Sequence, residues 1–345
     1  MRYAEPMRST AWAWSLLVAL SACTDDTGSE GADTGIILDG GPGVTSQAET
    51  EDSADGTGGK LDVAGTATAG DGGDGGQCAC QDVEDGIYVL DNSGGVASVW
   101  FFDPPANTFT PVGTIGCAAP LGWVANSMAI DRQGYAWLNY YEQATASARI
   151  YRAPLSDLSQ CEDTGYLNPG ASWWLLGMGY AVIDPQSSCD TLYIYRSDRY
   201  LEYPDFGPGG AALGRFDEAT DTIAMIGPTD YPVGELTGTG DGRLFAFAPV
   251  SAELAVLVNL DKDTGSELEH IDLNGLDITN AFAFAFWGGD VYFFTETSPG
   301  SGVSRVTRLD YDGNEGGGLS VYNSNTGLHI PGAGVSTCAS FIPPG

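Results

Sequence analysis

From about residue 81 the apolar residues arrive in short alternating bursts. Ile87-Tyr88-Val89-Leu90, Val99-Trp100-Phe101-Phe102, Ala136-Trp137-Leu138-Asn139-Tyr140, Leu192-Tyr193-Ile194-Tyr195, Leu244-Phe245-Ala246-Phe247 and Val291-Tyr292-Phe293-Phe294 are each bounded by Gly, Asp, Asn or Pro. Short aromatic and β-branched runs with regular turn signals, and no sustained helical period, predict an all-β fold.

The bursts also repeat in order. A small-residue strand, a tight turn, an aromatic strand and a polar hairpin recur: Asn126 to Asp131 before Tyr135–Tyr141, Gly177 to Asp184 before Leu192–Tyr195, Glu235 to Gly240 before Leu244–Ala248, and Ala281 to Trp287 before Val291–Phe294. The outer hairpins repeat as well, at Phe102-Asp103, Phe216-Asp217, Leu260 to Gly265 and Leu309 to Gly313. A period of roughly 45–60 residues fits the four-stranded blades of a β-propeller. Four full units fall between residues 120 and 325, and residues 86 to 116 supply three further strands without an innermost one. Gly334 to Ala339 reads as the missing strand, so the chain's end is expected to pair with its first blade and close a ring of five. The irregular stretch 197–212 leaves a six-bladed ring open as the alternative. Closure of this kind removes exposed strand edges, and the chain is expected to act as a monomer.

The beginning of the chain has a different character. Arg2 and Arg8 precede an apolar run from Ala11 to Leu20, the arrangement of a secretory signal. A membrane-spanning helix needs roughly 20 apolar residues, about twice this run. Leu20-Ser21-Ala22-Cys23 resembles the lipobox of bacterial lipoproteins. That resemblance implies cleavage after residue 22, lipid on Cys23 and anchoring to the cell envelope, with Thr24 favouring the outer membrane. Residues 23–76 are rich in Gly, Asp, Thr and Glu, lack aromatics and carry Lys60 as their single basic residue. Such a segment cannot bury enough apolar surface to offset its ordering entropy. It is expected to be a disordered tether with a reach of roughly 40 Å, extended further by its own charge. The folded domain is expected over 77–345.

Glu235 to Asp241, Ala281 to Gly289 and Gly332 to Cys338 resemble segments of a group of uncharacterised exported β-propeller lipoproteins of myxobacteria and their relatives. The resemblance spans most of residues 85–342. It implies the propeller fold and export, and it implies no activity.

The formal charge is −33, from 13 Lys and Arg against 46 Asp and Glu. A surface so acidic repels phosphate backbones, so nucleic acid is excluded as a partner. Besides Cys23 there are six cysteines, Cys78, Cys80, Cys117, Cys161, Cys189 and Cys338. An even number in an exported chain predicts disulfides. Placed on the propeller scheme, Cys161 is expected to pair with Cys189, Cys338 with Cys78 or Cys80, and Cys117 with the one remaining.

Candidate chemistry is sparse. Neither a GxSxG elbow nor an HExxH helix occurs, and the two His residues lie in separate loops. Loops leading into the innermost strands would line the mouth of the central channel, and they offer Trp123, Asn126, Trp173, Trp174, Glu235, Asn280 and His329. Indole faces stack on sugars while Asn and Glu bond hydroxyls, so a glycan is the expected ligand class, with a protein partner as the other. Packing between blades is the competing use for each Trp. Glu142, Glu235 and Glu296 fall near one face and leave glycoside hydrolysis open as the catalytic alternative; a purely structural role is the third. Asp310, Asp312 and Asn314 alternate as calcium ligands do, and Asp261 and Asp263 do so more weakly. The same residues are those of a hairpin turn. No cofactor is required by any motif, and Ca²⁺ is the one candidate.

Overall fold

A computed structural model describes residues 78–81, 83–168, 173–184, 189–197, 210–251, 254–276, 282–298, 300–313 and 318–342. The signal, Cys23, the tether, Asn280 and Asn314 lie outside the described residues.

The described residues form strands without helices. The first strands are β1 (Ile87–Asp91), β2 (Ser98–Asp103) and β3 (Thr108–Thr114). One sheet follows from β4 (Val124–Ile130), β5 (Tyr135–Glu142), β6 (Ser147–Pro154) and β7 (Glu162–Asp163). The next comprises β8 (Leu176–Val182), β9 (Asp190–Arg196), β10 (Ala212–Asp217) and β11 (Thr222–Pro228). Then come β12 (Glu235–Gly238), β13 (Leu244–Ser251), β14 (Leu254–Leu260) and β15 (Glu267–Asp272), and after them β16 (Phe282–Trp287), β17 (Asp290–Glu296), β18 (Ser304–Asp310) and β19 (Gly318–Asn323). The last strand, β20 (Gly332–Gly334), pairs with β1 in the order β20-β1-β2-β3, with Tyr88 opposite Gly334 and Leu90 opposite Gly332.

Five antiparallel four-stranded sheets result, and their innermost strands touch in a closed circuit, β20 to β4 to β8 to β12 to β16 and back to β20. The protein is a five-bladed β-propeller. Blade one is the shared blade, and blades two to five follow in chain order. The closing strand is Gly332–Gly334, so it ends where the sequence suggests that it begins, and 335–339 lie beyond it. The circuit closes with five blades, so 197–212 contributes no sixth; of that stretch, 198–209 lies outside the described residues.

Why five blades suit this sequence is visible at the axis. Fewer blades bring the innermost strands closer, and only small residues tolerate that approach. A Cβ at Gly177 would lie 2.9 Å from the Glu235 Cα, and one at Gly332 or Gly334 would lie 2.8 and 2.9 Å from the amide nitrogens of Met128 and Ile130. The large side chains point instead into the seams between blades. Phe102 meets Tyr292 and Phe294 between blades one and five, Trp137 meets Tyr180 and Phe216 between two and three, and Phe245 stacks on Phe286 between four and five. Offset and edge-on ring pairs of this kind add about 0.5–1.5 kcal/mol each beyond their burial.

Three disulfides fasten the ring: Cys78–Cys189, Cys80–Cys338 and Cys117–Cys161. The pairing of Cys338 with Cys80 meets the sequence expectation, whereas Cys161 pairs with Cys117 and not with Cys189. The chain path explains the difference. Residues 78–80 pass beside both the β8–β9 turn and the end of the closing strand, so two adjacent cysteines reach two different blades. Cys161 belongs to the β6–β7 loop, which lies against the segment after β3 through a bond from the Gly116 amide to the Leu158 carbonyl. That contact brings the Cα atoms of Cys117 and Cys161 to 4.7 Å. Three disulfides belong to a domain that matures in an oxidising compartment outside the cytosol.

Candidate functional site

Alternation along each blade gives the ring two unlike faces. Loops before the innermost strands, and those joining second to third strands, emerge on what we term the upper face; the remaining turns emerge on the lower face.

On the upper face a cleft of about 470 Å³ opens between blades one and two, bordered by a loop of blade five. Its walls are the β1–β2 loop (Asn92, Ser93, Gly95, Ala97), the start of β4 (Trp123, Val124, Ala125), Tyr140 from the end of β5, Gly302, and His329 from the loop before β20. Local hydrogen bonds set each wall. Asp91 accepts from the Ser93 amide and hydroxyl and from the His329 amide, which joins the first loop to the last. The His329 ring lies between Asn92 Oδ1 and Glu296, with Nε2 3.2 Å from the Glu296 carboxylate. Glu296 is buried and also accepts from the amides of Gly300 and Gly302. Trp123 is half-buried, and its amide closes a turn onto the Pro120 carbonyl. Burial, helped by the nearby Tyr151, pushes the Tyr140 hydroxyl up to about 12, so it remains a neutral donor.

The lining is notable for what the acidic residues do. In a chain with 46 carboxylates, none of the described side chains lining the cleft is a carboxylate. Asp91 and Glu296 stand behind the walls, buried and occupied as acceptors for the loops. The cleft therefore offers hydroxyl, amide, indole and imidazole groups over an apolar floor.

Of the residues expected at the channel mouth, the cleft brings together Trp123 and His329. Asn126 instead donates to the Leu176 carbonyl, tying blade two to blade three. Trp173 and Trp174 are buried, at 8% and 6% exposure. Trp173 lies under the Arg196 guanidinium at 5.1 Å and Trp174 leans on Tyr141. They fill the seam between blades two and three, the packing use anticipated as the competing one.

Glu235 is buried at the axis. Its Oε1 accepts from the Ser127 hydroxyl of β4 and, at 3.1 Å, from the Met178 amide of β8, so one carboxyl joins three blades. Burial raises it to about 8, against the lowering effect of the hydrogen bonds from Ser127 and Met178. This knot joins the innermost strands of blades two, three and four, whereas the cleft lies to one side, between blades one and two. Glu142 caps its own loop through Ala144 and Thr145, so the three glutamates expected near one face serve three separate local structures.

Asn92, Ser93 and Tyr140 complete the cleft, and sequence reasoning missed them. Asn92-Ser93-Gly94-Gly95 has only the composition of a turn, and nothing in it tells which loop will lean over an opening.

The proposed metal ligands Asp310 and Asp312 do come together, and Asp290 joins them within 4.8 Å. Arg308 already lies against Asp290 at 2.6 Å, placing a guanidinium inside the group. Asp261 accepts from the amides of Asp263 and Thr264, the pattern of a hairpin turn.

No family model and no curated protein matches the chain. Among solved structures it is similar to TolB from Acinetobacter baumannii (TM-score 0.37, 15% identity, 68% of this chain and 53% of that one). It is also similar to the Bacteroides ovatus xyloglucan PUL GH43B (TM-score 0.41, 15% identity, 59% of this chain and 42% of that one). A third is SapL1 lectin in complex with alpha methyl fucoside (TM-score 0.38, 11% identity, 69% and 79%). The chain spans about half or less of the length of the first two.

Proposed function

We propose that this protein is an exported, lipid-anchored binding protein whose propeller holds an uncharged saccharide in the upper cleft without catalysing its cleavage. The carrying observation is the cleft lining: a half-buried indole, hydroxyl and amide groups, and no carboxylate among the described side chains. A sugar is a polyol with apolar faces, so it needs a flat ring to lie on and neutral partners for its hydroxyls. Most enzymes that hydrolyse a glycosidic bond use a pair of carboxyl groups facing it, and the described lining supplies none. The three disulfides support export, and the Leu20-to-Cys23 sequence supports lipid on Cys23 and attachment to the envelope, at the outer membrane in the sorting sense. Calcium has no part in this reading.

The test is thermal unfolding of the protein against a panel of neutral oligosaccharides, uronic acids and Ca²⁺ with EDTA. A ligand at 100 times its dissociation constant stabilises by about 2.7 kcal/mol. A rise in melting temperature with a neutral sugar, abolished in Trp123→Ala, supports the proposal. Release of reducing ends would move the reading to a hydrolase, and no response to any sugar would move it to a protein partner or a structural role. Lipidation is tested separately, by partition of the mature protein into detergent and its loss in Cys23→Ser.

A further inference from the structure

A second opening lies away from the cleft, at the outer part of the seam between blades four and five. This groove of about 250 Å³ is lined by Phe245 and Leu257, both fully buried and therefore its floor, and by Asn259, Glu269, His270, Ile271 and Tyr311. Its walls differ from those of the cleft in one respect that decides the ligand: they carry a carboxylate. Glu269 is exposed, and the Asn259 side-chain amide donates to its Oε1 at 3.4 Å, which holds the carboxylate beside the floor. His270 does not offset that charge, because Glu267 at 2.6 Å and Asp272 at 3.8 Å already flank its two ring nitrogens. The opposite wall, Tyr311, stands edge-on to Phe245 and Phe286, with centroids 5.5 Å away in each case.

The protein itself shows what such rings attract. Arg243 places its guanidinium 4.7 Å from the Phe286 centroid, 5.5 Å from that of Phe245 and 5.8 Å from that of Tyr311, and Asp241 balances it at 2.9 Å. Cation, aromatic cluster and one carboxylate make a closed set there. The groove shares two rings of that set, Tyr311 and Phe245, and adds a second carboxylate, Glu269, on their open side.

From this juxtaposition we infer that the groove between blades four and five is a second binding site, for an organic ammonium group. The charge sits between the Glu269 carboxylate and the Tyr311 ring, and its carbon substituents lie on Leu257 and Ile271. An ammonium with an alkyl shell is favoured there because ring quadrupole and carboxylate attract the same charge, while the chain's −33 net charge draws cations to the surface. The site is independent of the saccharide cleft and goes beyond it.

Calorimetric titration of the full-length protein at low ionic strength, with choline and with its uncharged isostere in which carbon replaces nitrogen, tests the inference. Choline is expected to bind and the isostere to bind at least about fivefold more weakly. Glu269→Gln, an exposed change that leaves the packing untouched, is expected to weaken choline by about five- to tenfold. Tyr311→Leu is expected to weaken it as well, and Trp123→Ala to leave it unchanged. Equal binding of the two probes, an unchanged affinity in Glu269→Gln, loss of choline in Trp123→Ala, or no binding of choline would each overturn it. None of these outcomes bears on sugar binding at the cleft, which has its own titration.

Discussion

The two faces of the ring are built from the same repeat and do opposite things. On the upper face the loops stand apart and leave a cleft between blades one and two. On the lower face the first and last described segments, around Cys78 to Asp85 and Thr337 to Ser340, lie against the turns of the ring. Arg132, in the β4–β5 turn, is buried there and bonds the Cys78 carbonyl at 2.7 Å and the Thr337 hydroxyl at 3.0 Å; Asp190, the first residue of β9, lies 3.5 Å from the same guanidinium. Asp85 accepts from the Trp287 indole and from Ser340, joining the start of the domain to its end. A ring closed by its last strand must begin and end close together, and in this protein that place is the lower mouth. Securing the two ends of the described domain takes up lower-face groups, and the cleft lies on the other face.

The largest effect expected from disturbing this division belongs to the axis that separates the faces. The Glu235 carboxyl titrates at about 8 in the fold against 4.5 as its ordinary value. The unfolded chain therefore releases this proton first, and the native state bears a growing penalty as pH rises from 4.5 to 8. This contribution to stability is full below 4.5 and lost as pH passes 8, on the order of 5 kcal/mol. Denaturant unfolding of Glu235→Gln should match the native protein at pH 5 and exceed it at pH 9; parallel pH profiles would show that the carboxyl ionises freely. Next comes the lower closure. Cys80→Ser opens a loop of 258 residues and is expected to cost up to about 5 kcal/mol, the upper end of the range for disulfides, read as a lower denaturant midpoint without a change in the sugar binding proposed for the cleft. Arg132→Met strands Asp190, a buried carboxyl already pushed up by desolvation, and should cost about 3 kcal/mol. Replacing Asp190 by Asn in the same chain is expected to return part of that loss. If either lower-face change abolished the proposed sugar binding while the domain stayed folded, the two faces would not be separate devices. The smallest effect is Leu121→Ser. Its side chain is fully exposed on the loop before β4, and the substitution should move stability by less than about 0.5 kcal/mol.

Much of the architecture was legible because each level of the sequence agrees with the next. Aromatic strands signal the seams, and small residues such as Gly177, Gly179 and Gly334 signal strands crowded at an axis. Incomplete blade one and the small-residue stretch near the C-terminus together imply closure. Disulfide pairing was legible only for Cys338. Pairing depends on where the segment of Cys78 and Cys80 passes, and no local pattern encodes a path across a face. For the site, position in the repeat singled out Trp123 and His329, yet it singled out Trp173 and Trp174 equally. What separates them is the chain after β7: Tyr166 donates its hydroxyl to the Trp173 carbonyl and draws that loop inward, whereas the loop before β4 projects outward. Carboxylates misled in the other direction. Glu235 looked like a channel ligand because it lies where one would, and the structure shows it bound to the fold itself.

The Cys78-Ala79-Cys80 segment has a mechanical meaning. A pull on the polypeptide preceding residue 78 reaches two covalent bridges before it reaches any strand, one to Cys189 in blade three and one to Cys338 beside the closing strand. Tension is thus shared across the ring as a load on a hoop, and β1 is not unzipped from its neighbours one hydrogen bond at a time. Cys78 lies on the lower side, bridged to the residue before β9 and bonded through its carbonyl to Arg132, so such a load enters the ring on the face opposite the upper cleft.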